Sequence, residues 1–268
     1  MSNRPSWKPV RADLTRPSAA RIYNYFLGGS ANFAVDREFA QRALEIFPGA
    51  REYARLNRLF LQRVVRFYLD RGVRQFLDIG SGIPTAGSVH EIAQRLDPES
   101  TVVYVDNEAV AIAHSQLVLQ HNARAEIVQG DMRDPEQLLG VPELTRVLDL
   151  DRPIGVTMLA MLHFIPDRED PVGLLGRYRE LLAPGSYLAL SHCTADQLPE
   201  LDAAGELYQC TSTPATLRTA EQISAMLGGF DVLEPGVVFT PQWRPDSEED
   251  VGPDPERAAS YAAVCRKP

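Results

Sequence analysis

The segment Phe76-Leu77-Asp78-Ile79-Gly80-Ser81-Gly82 ends a short apolar run with a carboxylate and two glycines. Glycine has no Cβ, so a turn built on Gly80 and Gly82 allows backbone N–H groups to approach a bound molecule closely. Residues 86–96 follow with apolar side chains at helical spacing. The pattern predicts a buried strand, a turn and a helix, although a Gly-x-Gly turn alone identifies no ligand.

The next two predicted strands also end on an acidic residue. Asp106 follows the apolar residues 101–105, and Asp131 closely follows residues 125–128. Predicted helices separate these strands, and such alternation is typical of a parallel sheet whose strands all end at one edge. The sequence therefore predicts that Asp78, Asp106 and Asp131 lie together at the carboxyl edge of a sheet.

The later segments extend this α/β pattern. Two further strands are predicted over residues 154–161 and 187–190. Residues 232–240 and 258–265 are predicted to pair antiparallel, because the polar, proline-rich link between them leaves no room for a crossover helix. Residues 194–215 are too irregular to assign. We expect five parallel strands followed by a terminal hairpin.

The chain divides into two predicted parts within one structural unit. Residues 1–70 are expected to form an N-terminal arm and a helical cap or lid, and residues 71–268 the ligand-binding domain. Residues 1–13 lack periodicity and suggest a loosely held arm. Residues 51–70 form a clear amphipathic helix, whose arginines, including Arg58, are interpreted as a solvated face.

The composition argues against several classes of protein. A formal charge of −9 without a basic stripe disfavours a general nucleic-acid binder. The three cysteines are far apart, so they indicate neither a disulfide framework nor a metal-binding pair. The start of the chain lacks a signal-peptide pattern, and no apolar run reaches the length of about 18 residues that spans a bilayer. We therefore expect a soluble cytoplasmic protein with a small-molecule partner, no metal, no nucleic acid and no membrane.

Two nucleotide ligands compete for the predicted edge. A dinucleotide fingerprint requires glycine or alanine where Thr85 stands, and Asp78 would repel a pyrophosphate but attract an amino group. Asp106 is placed to accept hydrogen bonds from ribose hydroxyls. Asp131 could accept from an adenine amine while the Met132 thioether packs on the ring. These contacts predict S-adenosylmethionine; a nicotinamide-dependent dehydrogenase is the alternative that Thr85 disfavours.

With these residues in place, the chain resembles the class I S-adenosylmethionine-dependent methyltransferases. It is more narrowly similar to the actinobacterial S-adenosyl methyltransferase family, formerly a domain of unknown function. The likeness covers nearly all of the chain past residue 14, and its matching segments are residues 16–29, 76–85, 104–107 and 243–246. The resemblance implies a Rossmann-like α/β fold: a seven-stranded, mostly parallel sheet with an antiparallel last strand, plus an N-terminal helical extension.

The resemblance also implies a set of site residues. The implied cofactor contacts are Asp78, Gly80, Gly82, Asp106, Asn107, Asp131 and Met132. A cofactor lid made by Tyr23, Asn24, Gly29 and Asn32 stands as an alternative to simple packing of that segment on the core. The broad class often has a third glycine where Pro84 stands, so we expect a different approach to the methionine tail.

Methyl transfer from a sulfonium requires mainly alignment and exclusion of water, and only an acceptor that must lose a proton needs a base. His163 follows the fourth predicted strand and His192 the fifth, so both are candidate bases, with a structural histidine as the alternative for each. Tyr208, Arg218 and Trp243 are further candidates for acceptor contacts. The predicted function is methyl transfer to a small molecule. A non-catalytic sensor of S-adenosylmethionine or S-adenosylhomocysteine is the alternative.

Overall fold

The computed structural model describes residues 13–198, 200–209, 211 and 213–268, so the predicted arm lies almost wholly outside the described residues. Three helices come first: α1 (Ala19–Phe26), α2 (Ala34–Ile46) and α3 (Ala50–Asp70). The alternating part follows: β1 (Gln75–Ile79), α4 (Val89–Leu96), β2 (Thr101–Asp106), α5 (Ala109–Leu119), β3 (Ala125–Gln129), α6 (Pro135–Leu139), α7 (Pro142–Thr145), β4 (Gly155–Leu159), α8 (Pro171–Leu181) and β5 (Tyr187–Cys193). The last elements are α9 (Glu200–Tyr208), α10 (Ala220–Met226), β6 (Asp231–Val232), β7 (Val238–Phe239) and β8 (Ser260–Arg266).

The strands form one sheet in the order β3-β2-β1-β4-β5-β8-β6, with β7 also paired to β8. Strands β1 to β5 are parallel, and β8 runs antiparallel to β5, β6 and β7. The predicted Rossmann-like α/β fold is therefore confirmed. The strand order changes direction between β1 and β4, and ligands of such sheets bind at this switch point, beyond the carboxyl ends of the strands.

One predicted strand is divided in the structure. Residues 232–240 form the two short strands β6 and β7, so the sheet has eight strands rather than seven. Pro235 has no N–H and cannot continue a ladder, and the Gly236 N–H instead donates to the Leu233 carbonyl at 2.8 Å. The interruption is therefore local, and both short strands still pair with β8.

The N-terminal helices belong to two different layers. Helix α3 packs on the sheet itself, where the Tyr68 hydroxyl donates to the Val156 carbonyl at 2.9 Å. Helices α1 and α2 instead form a separate apolar cluster with α9 and the start of α3, and we call this cluster the helical cap. Ile22, Phe39 and Leu201 are buried in it. This cluster covers the carboxyl edge of the sheet. The boundary predicted after residue 70 stays a prediction, since α3 shares the core of the sheet.

Trp243 also belongs to the core. Its ring is fully buried against α3, with the Phe60 ring at 5.4 Å and the Phe67 ring at 5.6 Å. The Arg63 side chain donates to the Trp243 carbonyl at 2.9 Å. The expectation that Trp243 contacts an acceptor is therefore wrong, because the side chain lies away from the carboxyl edge.

Among the helices of the described residues, none has both the length and the apolar character needed to cross a membrane.

Candidate functional site

A cavity of about 570 Å³ lies between the carboxyl edge of the sheet and the helical cap. Of the predicted cofactor residues, those that line it are Tyr23, Asp78, Gly80, Gly82, Asp106, Asn107, Asp131 and Met132. Asn24, Gly29 and Asn32 are not among the lining residues. The three strand-end carboxylates are therefore brought to one site, as the alternation of strands and helices predicted.

The turn after β1 depends on its two glycines. Gly80 has φ 72° and Gly82 has φ 66°, a region that L-residues with a Cβ rarely occupy. The Gly80 N–H donates to the Val105 carbonyl at 2.8 Å, and the Gly82 N–H donates to Asp106 Oδ2 at 2.7 Å. A Cβ on Gly80 would lie 2.1 Å from the Met161 side chain, whereas one on Gly82 would meet nothing within 4 Å.

These surroundings predict unequal effects of two matched substitutions. Gly82→Ala is expected to lower the free energy of unfolding by about 1–2 kcal/mol through backbone strain alone. Gly80→Ala is expected to cost about 1 kcal/mol more, because Met161 must move as well. Urea unfolding measures both, and Met161→Ala added to Gly80→Ala should recover the difference. Equal losses for the two single variants would contradict the contact with Met161.

Asp78 is a buried carboxylate with spare acceptor capacity. The residue is 8% exposed, and Oδ1 accepts a hydrogen bond from the Thr157 hydroxyl at 2.6 Å. Among the described residues, Thr157 is its only hydrogen-bond partner, so Oδ2 is unpaired. Burial raises the pKa of Asp78 to about 6, against the lowering effects of the Thr157 hydrogen bond and the Arg58 charge. The site therefore holds a carboxylate that gains from a positively charged ligand.

Arg58 on α3 supplies the opposite charge. Its side chain lines the main cavity and, together with Asp78, a small adjoining pocket behind the glycine turn. Nη2 donates to the Gly87 carbonyl at 2.7 Å, but Nε is buried without a hydrogen-bond partner. The interpretation of Arg58 as part of a solvated face is therefore wrong. Helical periodicity marks the polar face of α3, but it cannot distinguish solvent from a polar cavity.

Asp106 joins the end of β2 to the glycine turn. The Asp106 carboxylate accepts two backbone hydrogen bonds: Oδ2 accepts from the Gly82 N–H, and Oδ1 accepts from the Glu108 N–H at 2.8 Å. Burial raises the pKa of Asp106, and the backbone hydrogen bonds from Glu108 and Gly82 oppose this. Each carboxylate oxygen can still accept a further hydrogen bond, as the hydroxyls of a ribose require.

Asp131 is held by a neighbouring arginine. Arg133 Nε donates to Oδ1 at 2.9 Å and Arg133 Nη2 donates to Oδ2 at 2.8 Å. Burial acts to raise the pKa of Asp131, but the hydrogen bonds and charge of Arg133 outweigh it, and the pKa is lowered. Met132 is buried beside it, and its carbonyl accepts from the Tyr178 hydroxyl at 2.9 Å. An adenine amine would share the Asp131 carboxylate with Arg133.

Three of the four predicted lid residues brace the turn between α1 and α2. Asn24 Oδ1 accepts from the Ala31 N–H at 3.0 Å and from Asn32 Nδ2 at 3.1 Å. Asn32 Nδ2 also donates to the Gly29 carbonyl at 2.8 Å, and a Cβ on Gly29 would lie 2.2 Å from the Asn24 side chain. Asn24, Gly29 and Asn32 thus position α1, while Tyr23 is the one whose side chain reaches the cavity.

His192 is a structural histidine in this arrangement. Arg218 Nη1 lies 2.9 Å from Nε2, and the Cys193 carbonyl lies 2.8 Å from Nδ1. Because arginine only donates and a carbonyl only accepts, these contacts assign the proton to Nδ1 and occupy both ring nitrogens. Burial lowers the pKa of His192 to about 4. The structure therefore contradicts the prediction of a base at His192, which is not among the residues that line the cavity.

Arg218 holds the loop that follows β4. Its guanidinium pairs with Asp167 at 2.6 Å and donates to the carbonyls of Leu162, at 3.2 Å, and Ile165, at 2.7 Å. Arg218 is not among the residues that line the cavity. Arg218 therefore positions the segment that carries His163. The prediction that Arg218 contacts an acceptor gains no support from the structure.

His163 does line the cavity, next to a thiol and a phenol. The Cys193 N–H donates to Nδ1 at 3.4 Å, and Nε2 lies 3.9 Å from Cys193 Sγ, which donates to the Tyr53 hydroxyl at 3.1 Å. Burial, with the His192 ring and the Arg218 charge, lowers the pKa of His163 well below its usual value. The ring is neutral, and its contacts assign the proton to Nε2, so His163 is a hydrogen-bond donor as it stands. Its role as a base stays a prediction that requires the other tautomer.

Comparison with known proteins agrees with this geometry. A family model described as S-adenosyl methyltransferase matches residues 5–268. The chain belongs to the S-adenosyl methyltransferase family. Crystal structures of two similar proteins share its fold, and no curated protein matches the chain. The family resemblance drawn from the sequence is thereby confirmed, and the dehydrogenase alternative loses its support.

The two crystal structures align with this chain over almost its full length. A DUF574 family protein from Streptomyces avermitilis is 40% identical, with 96% of this chain and 100% of that chain covered and a TM-score of 0.91. A candidate methyltransferase from Thermobifida fusca is 37% identical, with 98% and 99% covered and a TM-score of 0.90. An O-methyltransferase family protein from Burkholderia thailandensis, at 17% identity, 82% and 59% coverage and a TM-score of 0.53, shares the fold alone.

Proposed function

We propose that the protein is an S-adenosylmethionine-dependent methyltransferase that acts on a small-molecule acceptor. The observation that carries this proposal is that Asp78 and Arg58 line the same cavity, with Asp78 Oδ2 unpaired among the described residues and Arg58 close enough to act on the Asp78 charge. The amino-acid end of S-adenosylmethionine carries one ammonium and one carboxylate. A buried anion beside a half-buried cation is the complement of such a zwitterion.

The ribose and the adenine of the cofactor would lie further along the carboxyl edge, beyond Asp78. Asp106 would accept from the ribose hydroxyls, with Asn107 beside it, and the Met132 side chain would pack on the adenine ring. Gly82 leaves its part of the site free of side chains, whereas the Met161 side chain packs over Gly80. When bound, the cofactor supplies a methyl group already activated by the sulfonium. The residues of this chain then have to orient the two reactants and exclude water.

Calorimetric titration with S-adenosylmethionine tests the cofactor assignment. Arg58→Met and Asp106→Asn are each expected to weaken binding by about 1–3 kcal/mol through loss of a charge-assisted hydrogen bond. Arg55→Met is the matched control, because Arg55 lies on the same helix but is 58% exposed and paired with Glu52. Unchanged affinity in a folded Asp106→Asn protein would contradict the ribose contact, and absence of binding by the unsubstituted protein would contradict the function.

A truncated ligand isolates the role of Arg58. Decarboxylated S-adenosylmethionine lacks the group that Arg58 is proposed to hold, so it should bind the unsubstituted protein and Arg58→Met with equal affinity. If removal of the ligand carboxylate and the Arg58→Met substitution lowered the affinity additively, the proposed contact between them would be contradicted.

Incubation of a small-molecule library with methyl-labelled cofactor tests catalysis separately. Transfer to any library member excludes the non-catalytic sensor, which would bind the same cofactor with the same residues.

A further inference from the structure

The cavity extends from the charged strand ends to an apolar half beneath the helical cap. We define the aromatic subsite as Tyr53, Phe164, Leu201, Tyr208 and Leu217, all of which line the cavity. Among the described side chains, no Asp, Glu, Lys or Arg lines the cavity from α2, from α9 or from residues 213–217. The charged lining residues instead lie on α3, at the strand ends and in the loops that follow them. The two halves of the cavity therefore suit ligands of different polarity.

The polar groups in and next to the subsite carry no charge at neutral pH. Burial raises the pKa of the Cys193 thiol to about 11 and raises the pKa of Tyr53 well above its usual value. Burial also keeps the neighbouring His163 ring neutral. A charged acceptor would lose its hydration here without meeting an ion partner, which is costly in an apolar environment. A hydroxyl, by contrast, could exchange hydrogen bonds with the cluster formed by Tyr53, Cys193 and His163.

Packed helices surround part of the subsite. The Phe39 ring on α2 meets the Tyr208 ring on α9 edge-on at 5.1 Å, and Phe164 lies 6.4 Å from Tyr208. Tyr53 is 9% exposed and Leu201 is 6% exposed. Phe164, Tyr208 and Leu217 are half-buried, so the subsite is a partly covered part of the cavity. The partial cover favours a small molecule, and the aromatic walls favour a flat one.

We infer that the acceptor of this protein is an uncharged aromatic molecule that bears a hydroxyl and binds in the aromatic subsite. The inference rests on the proposed function, because it assigns the second half of the same cavity. The hydroxyl lies at the end formed by Tyr53, Cys193 and His163, and the ring packs between Phe164, Leu201, Tyr208 and Leu217.

Three ring-matched probes test the preference for a neutral ligand. The protein is first titrated with S-adenosylhomocysteine and then, saturated with it, with 2-naphthol, 2-naphthoate and 2-naphthylmethylammonium. We expect 2-naphthol to bind at least about tenfold more tightly than either ion, because each ion loses solvation without compensation. Tighter binding of an ion, or no saturable binding of 2-naphthol, overturns the inference. Failure to bind S-adenosylhomocysteine would instead overturn the proposed function.

A charge placed in the subsite should reverse the order. Leu217→Glu is expected to weaken 2-naphthol binding about tenfold and to make 2-naphthylmethylammonium the best of the three probes. Leu181→Glu is the matched control, because Leu181 is 37% exposed on α8 and does not line the cavity. Unchanged probe affinities in a folded Leu217→Glu protein would place the probes elsewhere. Should that variant not fold, the probe order in the unsubstituted protein decides the inference alone.

Discussion

Replacement of Asp78 by asparagine is expected to weaken S-adenosylmethionine binding by about 10- to 100-fold at neutral pH while it stabilises the protein without cofactor. Burial raises the Asp78 pKa from 3.8 to about 6. An acid with a raised pKa in the folded state contributes stability at low pH that is lost as the pH rises through the folded value. Above about pH 6 the buried carboxylate therefore costs about 1–3 kcal/mol, and Asp78→Asn removes that cost.

The same substitution should change the pH dependence of both properties. We expect the cofactor affinity of the unsubstituted protein to rise with pH up to about 6, as Asp78 ionises, and then to level off. Asp78→Asn should abolish this rise and flatten the unfolding free energy over the same range. Thr157→Val is an informative control, because loss of the hydrogen bond to Oδ1 should move the midpoint to higher pH. Parallel profiles for the Asp78→Asn and unsubstituted proteins would contradict the assignment.

The positions of the strand-end acids were predictable because parallel topology decides them. Once residues 76–79, 101–106 and 125–129 are strands of one parallel sheet, Asp78, Asp106 and Asp131 must approach one edge. The position of Arg58 was not predictable by the same logic. Periodicity shows which side of α3 is polar, but whether that side meets water or a cavity depends on where α1 and α2 pack.

The histidines show a second limit of the sequence. His163 follows β4 and His192 lies in the last residues of β5, so both are near the carboxyl edge, but their hydrogen-bond partners decide their chemistry. His192 Nε2 accepts a hydrogen bond from Arg218, which is 26 residues away in the sequence. The Cys193 N–H that fixes the His163 tautomer is 30 residues from His163. Such long-range partners leave no local pattern, so neither the structural character of His192 nor the tautomer of His163 could be inferred from spacing.

Substitution of Arg21 by methionine is expected to be the most destabilising change in the helical cap. The Arg21 side chain is 1% exposed, and its Nε donates to Asp36 Oδ2 at 2.8 Å, where Asp36 is 0% exposed. Its Nη1 also pairs with Glu108 Oε1 at 2.9 Å. Removal of the arginine leaves the Asp36 carboxylate buried without a counterion, which typically costs about 3–5 kcal/mol. Urea unfolding of Arg21→Met measures this loss.

Two further variants separate the buried charge from the link between the cap and the cofactor site. Asp36→Asn added to Arg21→Met should recover part of the stability, because the uncompensated charge disappears. Glu108→Gln should cost less, because it removes only the partly exposed charge of the Arg21 pair, and it should leave S-adenosylmethionine affinity nearly unchanged, because the backbone Glu108 N–H still donates to Asp106 Oδ1. Arg55→Ala, which breaks an exposed pair, should cost less than about 1 kcal/mol. If Arg21→Met cost no more than Arg55→Ala, Arg21 would not be what holds the cap on the carboxyl edge.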